Sequence, residues 1–142
     1  QPKFRQLLIE AYSSRCAVTG CGVESVLEAA HISPYLGKES NGVNNGLLLR
    51  ADIHTLFDLG KLKVTPDGTI QLSEDLRKSE YVVYDGKKIK SPMNAAHAPS
   101  SKALQMKLDI LALLGKAPSP TEPRAASIPV QKLLLIESGE VG

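Results

Sequence analysis

The sequence predicts an α+β fold, and three kinds of pattern support this prediction. Apolar residues recur at helical spacing at the start of the chain and again near residue 110. Between these segments, short apolar runs alternate with turns rich in Gly, Asn and Pro, which is typical of small antiparallel sheets. Residues 27–60 combine two predicted strands, a loop and a helix, and they hold two of the three histidines. We expect the rest of the chain to be organised around this stretch.

The size of the chain, 142 residues with 42% hydrophobic content, fits one domain with a modest core. We expect this domain at residues 1–115, a Pro-rich linker at 116–129, and a strand-like tail at 130–142 that begins or contacts another domain. A net charge of +2 neither requires nor excludes nucleic acid as a partner. No charged-then-apolar leader opens the chain, and no apolar run approaches the roughly 20 residues of a membrane span. We therefore expect a soluble cytoplasmic protein without membrane contact.

The first helix is predicted by apolar residues at positions i, i+3, i+4, i+7 and i+8. These residues are Phe4, Leu7, Leu8, Ala11 and Tyr12. A short strand is expected over residues 26–32, a Gly- and Asn-rich loop over 36–45, and a second strand over 47–49. A helix follows from Arg50 to Gly60, with His54 and Asp58 one turn apart on a face that differs from its apolar face.

The second half of the chain contains two hairpin signatures and a last helix. Residues 61–73 turn at Pro-Asp-Gly, and residues 81–90 turn at Asp-Gly. Ser100 or Ser101 can cap an amphipathic helix that ends at Gly115. Its apolar residues are Leu104, Leu108, Leu111 and Leu114.

Two cysteines, Cys16 and Cys21, stand five positions apart. A structural zinc site usually needs four Cys or His ligands, so histidines would have to complete it. We interpret the pair as small buried thiols in a turn. A small zinc-stabilised interaction domain that uses Cys16, Cys21, His31 and His54 is an alternative.

Four segments, FRQLLIEAY, RCAVTGC, LEAAHISPY and NNGLLLRADIHTLFDLG, occur in this order with the lysine-bearing hairpin behind them. Together they resemble the HNH endonucleases of the ββα-metal superfamily, over roughly residues 4–114. The resemblance implies a ββα-metal core with an N-terminal packing helix, additional β-hairpins and a C-terminal helix. It implies a metal-dependent endonuclease that hydrolyses DNA phosphodiester bonds.

In the branch of the family that this sequence resembles, the nuclease is often fused to a sensor domain in restriction and anti-phage defence enzymes. The resemblance thus implies a DNA substrate and a fused or associated sensor or targeting domain, or a homodimer. DNA sequence or modification specificity is not readable from this chain, because no base-reading element is visible.

The resemblance assigns roles to four residues, with His31 as the general base. Neutral imidazole, with an ordinary pKa of about 6.5, can take a proton from water near neutral pH. His54 is the catalytic metal ligand, and Asp58 can reach the same ion. Asn45, the middle residue of the motif, is expected to hydrogen-bond across the loop and orient His31, with the adjacent Asn44 as the alternative.

The expected cofactor is a divalent metal ion, Mg²⁺ first, with Mn²⁺, Ni²⁺ and Zn²⁺ also compatible with imidazole and carboxylate ligands. Many relatives carry His or Asp immediately before the base, whereas this chain has Ala30. Three alternatives follow: additional water ligands, Glu28 as a substitute, or an ion held mainly by His54, Asp58 and the substrate phosphate. We favour the third.

Four basic residues flank the predicted site and are candidates for contacts with DNA phosphates. They are Lys38, Arg50, Lys61 and Lys63. Ala30 also keeps a second function open, that of a catalytically inactive nucleic-acid-binding module with the same fold.

Overall fold

The computed structural model describes residues 2–34 and 40–115, and within them it shows the expected mixture of helices and small antiparallel sheets. The helices are α1 (Pro2–Ala11), α2 (Ala51–Asp58), α3 (Glu74–Arg77) and α4 (Ser101–Gly115). The strands are β1 (Leu27–His31), β2 (Gly46–Arg50), β3 (Leu62–Val64) and β4 (Ile70–Leu72). The predicted linker at 116–129 and the predicted tail at 130–142 lie outside the described residues.

The centre of the fold is the predicted pair of strands and the helix that follows them. Residues 36–39 of the loop predicted between the strands lie outside the described part of the chain. Strands β1 and β2 pair antiparallel, with Ala30 opposite Leu47 and His31 opposite Gly46. Helix α2 follows β2 directly and packs on both strands through the buried Ile53. The ββα arrangement of this segment is therefore confirmed.

Helices α1 and α2 cover opposite faces of the β1–β2 pair. His31 stacks on Phe4 of α1, whereas Glu28 bonds to His54 of α2. Side chains three positions apart on a strand point to opposite faces. The apolar face predicted for α1 is present, except that Leu7 is 40% exposed.

Gly46 allows α1 to approach the strand pair. A Cβ atom at this position would lie 2.5 Å from Cζ of Phe4 and 2.7 Å from Cδ1 of Leu8. The backbone of Gly46 is extended, with φ of −145°, a conformation open to any residue. The glycine is therefore required for space in the packing and not for an unusual turn into β2.

The first predicted hairpin is confirmed and the second is wrong. Strands β3 and β4 pair antiparallel across a turn in which Gly68 has φ of +87°. Residues 80–84, by contrast, form a 3₁₀ helix, Glu80–Tyr84. The side chain of Ser79 accepts a hydrogen bond from the N–H of Tyr81, and Asp85 Oδ1 accepts one from the N–H of Leu72. The Ser79 side chain thus caps the 3₁₀ helix, and the segment that follows bonds to β4, where the N–H of Gly86 also donates to the carbonyl oxygen of Ile70.

Helix α4 begins after a side-chain cap and packs through a narrow stripe. Ser100 Oγ accepts a hydrogen bond from the N–H of Ala103, which confirms the predicted cap. Its buried residues are Ala103, Leu104 and Lys107, while the three later leucines of the predicted face are half-buried. No helix among residues 2–34 and 40–115 has the length and apolar character needed to cross a membrane.

Candidate active site

His31 is the last residue of β1, and two neighbours hold its ring. The imidazole stacks on the Phe4 ring with centroids 4.1 Å apart and planes 11° from parallel. Its Nε2 lies 2.9 Å from Oδ1 of Asn41. Because an amide oxygen only accepts hydrogen bonds, this contact fits the tautomer of His31 in which Nε2 carries the proton.

Asn45 is buried, and its side chain clamps the two ends of the loop that follows His31. Its Nδ2 donates to the carbonyl oxygens of Ser33 and Ser40 at 2.6 and 2.8 Å, and its Oδ1 accepts from the N–H of Ser33 at 2.9 Å. The amide thus bonds across the loop, two residues beyond His31. The ring of His31 itself is held by Asn41, a residue without a predicted role.

Asn44 points to another part of the chain. Its Nδ2 donates to the carbonyl oxygens of Ala96 and Ala98 at 2.8 and 2.7 Å. Its own carbonyl oxygen accepts from the N–H of Ser100 at 2.8 Å. Asn44 therefore holds the segment that leads into α4, and it does not contact the ring of His31.

His54 lies between two carboxylates, one at each ring nitrogen. Its Nδ1 is 2.7 Å from Glu28 Oε1, and its Nε2 is 3.2 Å from Asp58 Oδ2. Burial lowers the pKa of His54, but the hydrogen bonds and charges of Asp58 and Glu28 more than offset it, so the pKa lies above its usual 6.5. A proton on Nδ1 together with a proton or a cation at Nε2 would satisfy both carboxylates.

Glu28 and Asp58 approach opposite edges of the His54 ring, so they cannot both bind an ion at Nε2. Within residues 2–34 and 40–115, no three His, Cys, Asp or Glu side chains form a group that could hold a metal. Ala30 is fully buried and supplies no donor. The geometry leaves His54 Nε2 and Asp58 Oδ2 as a convergent donor pair, with Glu28 bonded to the far side of the ring.

That donor pair fits a divalent cation. An octahedral ion bonded to two ligands at about 2.1 Å and at a right angle would separate them by about 3 Å. The observed separation of His54 Nε2 and Asp58 Oδ2 is 3.2 Å. One imidazole nitrogen and one carboxylate oxygen are ligands that several divalent metals accept.

His31 and the His54 cluster lie on opposite faces of the strand pair. No hydrogen bond, ion pair or ring contact recorded among the described residues joins the two histidines. The sequence assigns both to one reaction, and the structure brings Glu28, His54 and Asp58 together and places His31 at the end of β1.

Two of the predicted DNA-contacting residues already have acidic partners. Arg50 forms a two-pronged ion pair with Asp52 at 2.7 and 3.0 Å. Lys61 pairs with Asp75 at 2.7 Å. Their charges are therefore partly neutralised within the protein.

Lys63 differs from these two residues. It forms no ion pair with the described part of the chain, and it lines a surface depression together with Asp58 and Gly60. Lys38 lies outside the described residues. Among the predicted phosphate contacts in the described part of the chain, Lys63 is therefore the residue whose charge remains available. It lies beside the donor pair of His54 and Asp58.

Cys16 and Cys21 are free thiols in the turn before β1. Cys16 is buried, and its Sγ accepts hydrogen bonds from the N–H groups of Thr19 and Arg50 at 3.3 and 3.2 Å. The N–H of Cys16 also donates to the carbonyl oxygen of Cys21 at 2.9 Å. The sulfur of Cys16 thus helps to attach this turn to the end of β2.

Lys107, which the sequence patterns did not single out, also reaches this cluster. Its side chain is only 3% exposed, and its Nζ lies 3.8 Å from Asp58 Oδ1 and 4.5 Å from the centroid of the Phe57 ring. A signal was present in the sequence, because Lys107 interrupts the apolar stripe of α4 three positions after Leu104.

Residues 16–65 match the sequence model of a family described as HNH endonuclease. The fold is also similar to that of a solved structure, a modification-dependent TagI restriction endonuclease, with a TM-score of 0.52 and 20% sequence identity. The similarity covers 76% of this chain and 37% of that one, so this chain spans little more than a third of that protein. No curated protein matches this sequence.

The matched segment contains His31, Asn45, His54 and Asp58 on the ββα core described above. The family match covers 50 of the 142 residues, and the solved structure, at 20% identity, shows a similarity of fold. Residues 16–65 of the chain are thus similar to HNH endonucleases. Enzymes of this family generally depend on a divalent metal ion.

Proposed function

We propose that this chain is a metal-dependent nuclease acting on DNA, in which His31 activates water and His54 and Asp58 hold the divalent cation on which cleavage depends. The observation that carries the proposal is the arrangement of His54, which lies 2.7 Å from Glu28 and 3.2 Å from Asp58 on the helix that directly follows β2. A cation-binding imidazole commonly has such a carboxylate on its other nitrogen.

His31 acts through Nδ1. With the proton on Nε2 held by Asn41, the Nδ1 lone pair is the atom that takes a proton from the attacking water. The water oxygen then bonds to phosphorus as the bond from phosphorus to the leaving 3′ oxygen breaks. Stacking on Phe4 prevents the ring from turning away, so Asn41 and Phe4 are both positioning residues.

Glu28 prepares His54 for the cation. By accepting a hydrogen bond from Nδ1, it fixes the tautomer in which Nε2 is free to bind a metal, and it increases the basicity of the ring. When bound, a divalent cation offsets the negative charge that develops on the phosphate and on the leaving oxygen. The oxygen ligands of Asp58 and of the substrate phosphate favour Mg²⁺ or Mn²⁺, while the imidazole also accepts Ni²⁺ or Zn²⁺.

The DNA backbone would have to pass both His31 and the depression beside Asp58, which are lined by different residues. Lys63 contacts a phosphate there through its ammonium group, for which the described residues provide no competing carboxylate. Arg50 and Lys61 contribute less, because Asp52 and Asp75 already neutralise them.

We further propose that this domain is the effector part of a restriction or anti-phage defence protein. Support comes from the similar fold of a restriction endonuclease that is described as modification-dependent. This chain corresponds to 37% of that protein, which leaves room for a fused or associated sensor domain in the full protein. Residues 116–129 retain the composition of a linker to such a domain.

Cleavage of supercoiled plasmid with Mg²⁺, Mn²⁺ or Ni²⁺ tests the proposal. His31→Ala is expected to abolish nicking and to leave metal binding intact, whereas His54→Ala removes both. His97→Ala is the control, because His97 lies in a separate 3₁₀ turn, Ala95–His97. Undiminished cleavage by His31→Ala would exclude its role as the base.

A catalytically inactive DNA-binding module is the second candidate function. The buried Ala30, at the position where many relatives carry a metal ligand, is the observation that favours it. Binding of DNA without any divalent cation, combined with no cleavage in all three metals, would establish this function instead.

A further inference from the structure

Asp58 bridges two basic groups, and one of them is a buried lysine from a distant helix. Oδ2 of Asp58 lies 3.2 Å from Nε2 of His54, while its Oδ1 lies 3.8 Å from Nζ of Lys107. The Lys107 side chain is 3% exposed, whereas that of Asp58 is 28% exposed. The ammonium group therefore approaches the carboxylate from the protein interior, behind the face that Asp58 presents to solvent.

We propose that Lys107 is a built-in counter-cation of Asp58, which weakens the binding of free divalent cations and makes metal binding depend on DNA. This inference rests on the proposed role of His54 and Asp58 as the metal-binding pair. In this inference the charge of Lys107 regulates metal binding, and Lys107 does not contact the reacting atoms.

The charges of the cluster explain the effect. Glu28 and Asp58 carry one negative charge each, and Lys107 offsets the charge of Asp58, the carboxylate on the Nε2 side of His54. A positive charge close to a metal ligand opposes a dication, and the opposition is strong where burial limits screening by water and salt. A DNA phosphodiester brings the negative charge that Lys107 has cancelled, so metal and DNA should bind cooperatively.

A purely structural role explains the lysine less well. Lys107 continues the apolar stripe that begins at Leu104 on α4, and its ammonium group lies over the Phe57 ring, with Nζ 4.5 Å from the centroid. Burying an ammonium group carries a desolvation cost, and an apolar side chain of similar volume often gives equal or better stability. Methionine would fill this space and keep the stem without the charge.

The test is a calorimetric titration of Mn²⁺ into the full chain at one fixed pH, with and without a short DNA duplex. All proteins carry His31→Ala, so that the DNA is not cleaved during the measurement. Lys107→Met is compared with Lys102→Met, since Lys102 is an exposed lysine on the same helix. Lys107→Gln is a second neutral variant, to be used if Lys107→Met does not fold.

Removal of the charge at Lys107 is expected to tighten Mn²⁺ binding to the DNA-free protein by about tenfold or more, the effect of one partly screened buried charge. The gain in Mn²⁺ affinity that DNA provides should shrink by the same factor. Lys102→Met should match its parent. Unchanged or weaker Mn²⁺ binding in the neutral Lys107 variants would overturn the inference, because loss of a merely structural contact loosens the site and can only weaken binding.

His54→Ala and Asp58→Ala in the same titration separate the two proposals. If both abolish Mn²⁺ binding while Lys107→Met has no effect, the inference fails and the metal site stands. If neither variant changes Mn²⁺ binding, the metal site lies elsewhere, and the role proposed for Lys107 falls with it.

Discussion

Replacement of Gly46 by alanine is expected to destabilise the domain and to disturb His31 at the same time. The added Cβ would lie 2.5 Å from Cζ of Phe4 and 2.7 Å from Cδ1 of Leu8, whereas ordinary contacts begin near 3.4 Å. Phe4 must therefore move by almost 1 Å within a closely packed core. Overpacking of this kind typically costs about 1–3 kcal/mol.

The displaced ring is the one on which His31 stacks, with centroids 4.1 Å apart. We therefore expect Gly46→Ala to reduce cleavage through loss of His31 positioning, by about tenfold for each 1.4 kcal/mol of lost transition-state stabilisation. Urea unfolding gives the change in stability, and single-turnover plasmid cleavage under conditions where the variant is folded gives the change in rate.

The matched control is Gly115→Ala, because a Cβ built at Gly115 meets no heavy atom of the described residues within 4 Å beyond its chain neighbours and its own helix backbone. A double mutant that also carries Phe4→Leu should recover part of the stability lost in Gly46→Ala, since the smaller side chain relieves the overlap. A change of less than about 0.5 kcal/mol in Gly46→Ala, the size typical of a neutral surface substitution, would refute the reasoning.

Three further predictions concern single side chains. Glu28→Gln should weaken divalent-metal binding by about tenfold, the lower end for a partner of a metal-binding His, because the Glu28 side chain is half-exposed. Tyr12→Phe should leave thermal stability unchanged or raise it by up to about 1 kcal/mol, since the buried hydroxyl has no hydrogen-bond partner among the described residues. Hydrogen bonds from Arg50 hold the pKa of Asp52 at about 2 against its ordinary 3.8. Because the folded-state pKa is depressed, this stabilisation is present above pH 3.8 and is lost as the pH falls towards 2, by at most about 1 kcal/mol after solvent screening.

Each of these predictions has a clear contrary result. Metal affinity in Glu28→Gln equal to that of the unmodified protein would show that Nδ1 of His54 needs no anionic partner. Loss of more than about 1 kcal/mol in Tyr12→Phe would reveal a hydrogen bond to the hydroxyl. Acid unfolding curves that coincide between the unmodified protein and Asp52→Asn over pH 4 to 2 would remove Asp52 from the acid-sensitive groups.

The sequence predicted elements wherever neighbouring residues suffice to specify them. The two strands and the helix of the core follow from short apolar runs and a helical apolar face, and all three appear in the structure. The turn at Gly68 was likewise predicted from adjacent residues alone. The prediction of the second hairpin was wrong because an Asp-Gly pair does not specify a hairpin turn alone. Here Asp85 accepts a hydrogen bond from the N–H of Leu72 in β4, a contact that cannot be predicted from neighbouring residues.

By itself, the sequence predicted the class of enzyme and the candidate site residues, because the motif around His31 and His54 lies within one short stretch. Only the tertiary structure decided which groups surround them. Glu28 meets His54 across 26 positions, and Lys107 reaches Asp58 from a separate helix. Such contacts depend on how α2 and α4 pack. This packing results from burial of the whole core, and the sequence around the contacting residues does not indicate it.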